Sequence, residues 1–290
     1  MQKHLLVTIS DDPSALYGCR FVADFLGPSP DLTLTLFYVA PQPKAAFDAP
    51  DFISLEHLEL NAPKADATGR KALTKAGAYL RSKGFEPEHL RTRLAVRQIS
   101  RAQDIITEGH RGLYDAVVLG RRGLSSLERM VDSSVTQAAM ELDTDFPLWF
   151  CRNPDPGRRD VLLCVDGSDA CYTAADHVGF MLKDLDDHSV CLFRVQTPRP
   201  ACPDCTDTVF AKAGRILEDN GVPASRITSR TVDSAKPAEA ILAETKAGNF
   251  AVTAMGRTGA GRGLLRKLFM GSKSMDVLHD LAGAVQWVCR

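Results

Sequence analysis

Long apolar runs are missing: no stretch of the 290-residue chain reaches the roughly 18 residues that a membrane-spanning helix needs. Net charge is missing too. The 35 basic and 36 acidic residues leave a formal charge of −1, so no long-range positive field draws nucleic acid to the surface. Neither nucleic acid nor a membrane is expected as a partner. The opening residues, MQKHLLVTIS, run directly into strand-like sequence with no charged segment and apolar leader before it, and a cytoplasmic location is expected. Several chemical signatures are absent as well. There is no GxxxxGK(S/T), no GxGxxG, no HExxH and no GxSxG, so a P-loop, a dinucleotide fingerprint, a zincin site and a nucleophile elbow all lack their anchor residues.

What is present is an ordinary globular mixture, 44% hydrophobic and 24% charged, long enough for two domains. Its eight cysteines do not form a small secreted disulfide framework. Cys164 and Cys191 lie inside apolar strand-like runs and Cys151 and Cys289 end two others, the setting of buried free thiols.

Four segments of the chain recur in the same order. Residues 5–26 resemble 162–182, with Ser10 falling on Asp166, Val22 on Val178, Phe25 on Met181 and Leu26 on Leu182. Residues 34–41 resemble 190–198, with Val39 on Val195. YDAVVLGRRG (114–123) pairs with FAVTAMGRTG (250–259), and FPLWFCR (146–152) with AVQWVCR (284–290), Trp149 on Trp287 and Cys151 on Cys289. This order marks a tandem duplication. Pro, Gly and charge gather in NPDPGRRD (153–160), which reads as the linker between domains 1–153 and 154–290. The first copy is longer, its extra residues lying in the Pro- and Ala-containing stretch around 41–70.

Each copy alternates short apolar runs with amphipathic stretches, among them 67–83, 100–111 and 206–219. Strand, helix, strand at this spacing predicts right-handed crossovers and a parallel sheet. The fold class is therefore α/β: two tandem open parallel sheets with flanking helices, Rossmann-like. Such sheets bind ligands beyond the carboxyl ends of their strands, where strand order reverses. Asp166, Val195 and Gly256 are all expected at strand ends.

GRTGAGRGLLRKLFMGSKS (256–274) holds five Gly, five Arg or Lys and three Ser or Thr. Glycine amides approach an anion without a Cβ clash, and amides opening a helix carry partial positive charge. Arg257, Arg262, Arg266 and Lys273 would supply countercharge. The alternative is a surface loop with solvated cations.

The spacing G-x2-G followed by G-(S/T), together with VDGS at 165–168, resembles the universal stress protein family. The resemblance covers nearly the whole chain as two copies. It implies five parallel strands per copy, as in adenine nucleotide alpha hydrolase-like domains, and an adenine nucleotide such as ATP, with Mg²⁺, in some members. It also implies that fifth strands pair across a dimer. Here 146–151 and 284–289 would form that pair inside one chain, an intrachain pseudo-dimer that leaves further homodimerisation open. Carried onto the second copy, the resemblance places Val165 and Asp166 near adenine and ribose and Val195 against the base. Gly256, Thr258 and Gly259 would face ribose and phosphate, and Gly271, Ser272 and Lys273 would hold the phosphates.

Both copies depart from the pattern. Eleven residues (260–270) separate Gly259 from Gly271 where the family has nine. In the first copy the corresponding residues are Ser10, Val39, Gly120, Arg122, Gly123, Ser133 and Ser134, with Ser133 in place of the third glycine and Ser10 in place of the strand-end aspartate. Asp11 or Asp12 would have to substitute. The expectation is an asymmetric protein: a regulatory nucleotide site in the second copy, a degenerate one in the first, and protein partners not named by the sequence. A nucleotide-independent interaction module is the alternative.

Catalysis has no assigned residues beyond slow ATP hydrolysis. Asp166 either holds Mg²⁺ through water or caps the next helix or binds ribose. His177, in a predicted helix, meets solvent or a core hydrogen bond. Cys202 and Cys205 in ACPDCTD have CxxC spacing, which suits a surface loop, a metal site completed by Asp204, Asp207 or His188, or a redox pair.

Overall fold

The computed structural model describes residues 2–11, 16–42, 55–120, 144–197, 205–257, 281 and 283–290. Ten strands follow in chain order: β1 (Lys3–Ile9), β2 (Leu32–Ala40), β3 (Leu90–Val96), β4 (Ala116–Gly120), β5 (Leu148–Cys151), β6 (Val161–Cys164), β7 (Val190–Gln196), β8 (Ile227–Asp233), β9 (Val252–Gly256) and β10 (Val285–Cys289). Contacts divide the chain into two compact units. One holds residues 1–19 and 27–142, the other residues 20–26 and 143–290. The fifth strand of the first repeat, β5, thus belongs to the second unit.

In the first unit the strand order is β3-β2-β1-β4, all parallel. β1, β2 and β4 are nearly continuous apolar runs because both sheet faces are covered. The Leu55–Ser82 helix packs on β2 and β3, and the Arg101–Gly112 helix packs on β2. Ser100 caps the latter, its side chain accepting from the Gln103 amide. β3 is largely exposed. From it Arg93 reaches the buried Glu108 at 2.9 Å, and the Tyr114 hydroxyl donates to the same carboxylate.

The second unit has the order β5-β10-β9-β6-β7-β8, parallel from β10 onward. Ile241 joins Leu162, Phe193 and Met255 in one core cluster, which places the Pro237–Ala247 helix on that face. The Asp169–Leu182 helix, which packs on β9 and β10, and the Cys205–Asp219 helix pack together. Arg230 on β8 reaches the buried Glu244 at 2.9 Å, repeating the Arg93–Glu108 pair at matching positions.

β5 and β10 pair antiparallel with Trp149 opposite Trp287, as the family resemblance implied for the fifth strands. Both indoles are fully buried and stack with ring centroids 4.1 Å apart and planes 5° from parallel. Phe21 and His177 occupy matching positions in the two repeats, and both stand edge-on to this stack. Phe21 lies 5.9 Å from Trp149 and His177 5.4 Å from Trp287. Such aromatic pairs contribute about 0.5–1.5 kcal/mol each beyond area burial. The mimicry stops at hydrogen bonding. Trp149 Nε1 donates to His177 Nε2 at 3.0 Å, whereas the buried Trp287 Nε1 finds no acceptor among the described residues, because a phenyl ring stands where the other repeat has an imidazole.

That bond and burial keep His177 neutral, its pKa pushed down to about 3 by desolvation. The unfolded chain protonates this imidazole near its usual 6.5, so between those values the unfolded state binds more protons. Stability is therefore full above pH 6.5 and falls as pH drops towards 3, by about 1.4 kcal/mol per pH unit for this residue. His188, also buried, and His4 shift in the same direction, chiefly by desolvation. Urea unfolding compared at about pH 7.5 and about pH 5.5 should show the loss, and His177→Phe should remove a large part of it. Equal slopes in the two proteins would rule out His177 as the source.

Candidate functional site

In the second unit, strand order reverses at β6. The chain runs β6, β7, β8 in one direction and then returns to place β9 on the other side of β6. The carboxyl ends of β6 and β9 therefore bound the crevice where this class of sheet receives ligands. Asp166 follows the end of β6, Val195 is the penultimate residue of β7 and Gly256 ends β9. The strand-end placement expected from the sequence holds for all three.

The turn after β6 is fixed by its own side chains. Asp166 Oδ1 accepts from the Ser168 amide at 3.0 Å and from the Ser168 hydroxyl at 2.6 Å. Ser168 Oγ in turn accepts from the Cys171 amide, capping the Asp169–Leu182 helix. Gly167 between them has φ +88°, a conformation that L side chains rarely adopt. Of the roles considered for this stretch, helix capping is taken by Ser168, with Asp166 behind it. Val165 is buried, and its amide donates to the Phe193 carbonyl. Val195 is half-buried beside Leu162, Phe193 and Ile241.

Gly256 is required by packing. A Cβ there would lie 2.6 Å from the Ala170 carbonyl carbon and 2.8 Å from the Cys171 nitrogen, so β9 meets the capped end of the helix with no room for a side chain. The next residue, Arg257, is buried and its guanidinium donates to Thr144 Oγ1 at 3.1 Å. This structural contact, at a residue expected to supply countercharge to a ligand, was not disclosed by the sequence. Thr258, Gly259, Arg262, Arg266, Gly271, Ser272 and Lys273 lie outside the described residues.

In the first repeat Ser10 follows β1, Val39 is buried near the end of β2 and Gly120 ends β4. The Asp11 carboxylate is close enough to Tyr38 to act on it: burial first, then Asp11, raises the Tyr38 pKa. Asp12, Arg122, Gly123, Ser133 and Ser134 lie outside the described residues.

The cysteines expected to be buried or within strands are so placed, and Cys19, Cys151, Cys164, Cys171, Cys191 and Cys289 are free thiols. Burial pushes Cys19 up to about 12 and raises Cys164, Cys171, Cys191 and Cys289 as well, so none is poised as a thiolate. Cys205 opens the Cys205–Asp219 helix, and Cys202 lies outside the described residues. His188 has its ring buried against Phe25 and beside Asp187, and Asp207 is exposed on its helix. Among the described residues no three metal-ligating side chains cluster. The sequence reading missed Lys212, whose ammonium stands 3.8 Å over the Tyr172 ring. An aromatic and a cation on separate helices, with β7 between them in the chain, give no signal in sequence.

Fold and strand order define an open, doubly wound α/β protein. The universal stress protein family matches residues 1–142 and again 157–285, and the chain belongs to that family, as two tandem copies. Among solved structures, a universal stress protein from Archaeoglobus fulgidus is 16% identical, with a TM-score of 0.70 over 99% of this chain and 96% of that one. A functionally unknown protein from Pseudomonas aeruginosa is 15% identical, with a TM-score of 0.52 over 99% and 92% of the two chains. An Arabidopsis thaliana member with AMP bound is 14% identical, with a TM-score of 0.35 over 51% of this chain and 90% of that one. No curated protein matches the sequence. At these identities the likeness speaks to fold. No helix among the described residues is long and apolar enough to cross a membrane.

Replacing Gly256 by Ala should destabilise the protein by about 1–3 kcal/mol, the usual cost of forcing extra volume into a packed contact. Denaturant unfolding measures it; a midpoint unchanged from wild type would mean that the helix yields freely at Ala170.

Proposed function

We propose that this protein is a regulatory adenine nucleotide binder whose ligand sits in the second repeat, at the carboxyl ends of β6 and β9. The observation that carries the reading is the Asp166–Gly167–Ser168 turn, locked by its own hydrogen bonds beside the side-chain-free end of β9 at the switch point. From Gly256 the sequence runs on into the glycine- and arginine-rich stretch 256–274.

In this proposal Val165 and Asp166 meet adenine and ribose, and Val195 offers its half-buried methyls to the base. Gly256, Thr258 and Gly259 approach ribose and phosphate, while Gly271, Ser272 and Lys273 hold the phosphates. ATP or a related adenine nucleotide is the ligand, with Mg²⁺ as its counterion. With Asp166 Oδ1 engaged by Ser168, ribose contact suits the carboxylate better than metal coordination. Fast turnover would need a positioned water and a charge-stabilising group, and no residue is assigned to either role. The first repeat, with Ser10 and Ser133 at the motif positions, is the degenerate copy. Ligand state would act on protein partners in the cytoplasm, through this chain or a homodimer of it.

Freshly purified protein, denatured and analysed by chromatography, should release about one adenine nucleotide per chain, and Gly271→Ala with Ser272→Ala should release none. Two per chain would mean that the first repeat binds as well. Absence of nucleotide, together with an unchanged melting temperature in millimolar ATP and Mg²⁺, would defeat the proposal, because a ligand that binds the native state must stabilise it.

A further inference from the structure

The first unit carries a concave site whose lining includes none of the candidate nucleotide residues named above. Between the Leu55–Ser82 helix and the outer strand β3 lies a cleft of about 680 Å³, within the usual range for small-molecule sites. Its floor is aliphatic: Leu36, Leu73, Leu90 and Leu94. Arg70 and Arg81 stand on its rim. Arg70 is held by Asp66 at 2.9 Å. Arg81 is exposed, and a Cβ added to Gly77 would lie 3.4 Å from its guanidinium, so this side chain folds back along the helix instead of pointing away.

The duplication supplies an internal control. The first unit's helix end and β3 align with the Cys205–Asp219 helix and β8, through Ala76 on Ala213, Leu80 on Leu217 and Leu90 on Ile227. The packing residues match and three floor positions stay apolar, Leu36 on Leu192, Leu73 on Phe210 and Leu90 on Ile227, but the rim does not recur. Arg70 falls on Asp207, Arg81 on Glu218 and Leu94 on Thr231. At Gly214, which matches Gly77, nothing approaches within 4 Å. The fold is therefore built equally well without a cationic rim and without an apolar residue at the Leu94 position. Leu90 and Leu94 also remain only half-buried on an outer strand, where apolar side chains gain little from folding alone.

We infer that this cleft binds an amphipathic anion, an aliphatic chain with a carboxylate or phosphate head. The chain would lie on the leucine floor and the head would meet the Arg81 guanidinium, which pairs with either group in a forked geometry. This site is separate from the nucleotide crevice, and its test does not depend on that reading.

Calorimetric titration of the full-length protein with dodecanoate, and separately with dodecyl phosphate, should show saturable binding of one molecule per chain. The stronger of the two identifies the head group. Arg81→Glu should weaken that ligand by about tenfold or more, and Leu94→Thr, which installs the second repeat's residue, by a smaller factor. Dodecyltrimethylammonium should not bind. Both substitutions fall on exposed or half-exposed side chains, and unchanged melting temperatures would verify that the variants fold. No saturable binding of either anion, affinity unaltered in both variants, or equal binding of the cationic amphiphile would each overturn the inference.

Discussion

The pairing of β5 with β10, and the Trp149–Trp287 stack at its centre, is the contact on which the second unit turns. Five of the six strands there, β10-β9-β6-β7-β8, form a parallel sheet without β5. The strand that closes the order comes instead from the other repeat, and it pairs antiparallel. Two indoles stacked in full burial remove the largest apolar surfaces in the chain from water at one point. Around them Phe21, Phe25 and His177 stand edge against face, and His177 also accepts a hydrogen bond from Trp149. The constraint is sharp because a one-residue slip in register would turn each indole to the opposite face.

Comparison of the repeats separates what the fold requires from what it tolerates. The arginine-to-buried-glutamate pair appears twice, as Arg93–Glu108 and Arg230–Glu244. In both cases an outer strand is tied to the helix that follows it, and loss of one partner would leave a carboxylate buried without its cation. The aspartate of the Asp166–Ser168 turn, by contrast, occurs in one copy only, since Ser10 stands at its position in the other. The charges facing the cleft beside β3 have inverted altogether. Framework and surface have thus diverged at different rates within one polypeptide.

Much of this was legible in the sequence. Four recurring segments disclosed the duplication, and the family resemblance implied that the two fifth strands pair, while their antiparallel direction came from the structure. Strand ends at Asp166, Val195 and Gly256 followed from apolar runs stopping at polar or glycine residues. What the sequence hid were contacts set by tertiary geometry. Nothing local marks Gly256 as a packing glycine, because the helix end that excludes its Cβ lies more than eighty residues earlier. Nothing marks Arg257 as buried, because its partner Thr144 precedes the linker. His177 was ambiguous between solvent and core until its acceptor role to Trp149 became visible. The assignment of β5 to the second unit likewise depends on pairing across the duplication, which composition around 153–160 does not report.

Covalent fusion of the two copies changes what kind of object this pairing is. Between separate chains, a fifth-strand contact forms only as fast and as fully as concentration permits, and symmetry obliges every substitution to occur on both sides at once. Within one chain the partner strand is always present at high effective concentration. The requirement for identical halves then disappears. Phe21 opposite His177 is the mark of that freedom: an imidazole satisfies one indole, a phenyl ring leaves the other unsatisfied, and the fused protein holds both. A homodimer with the same sequence change would carry two unsatisfied indoles at its axis. Fusion thus let heterogeneity accumulate at the very centre of what symmetry would otherwise have kept uniform.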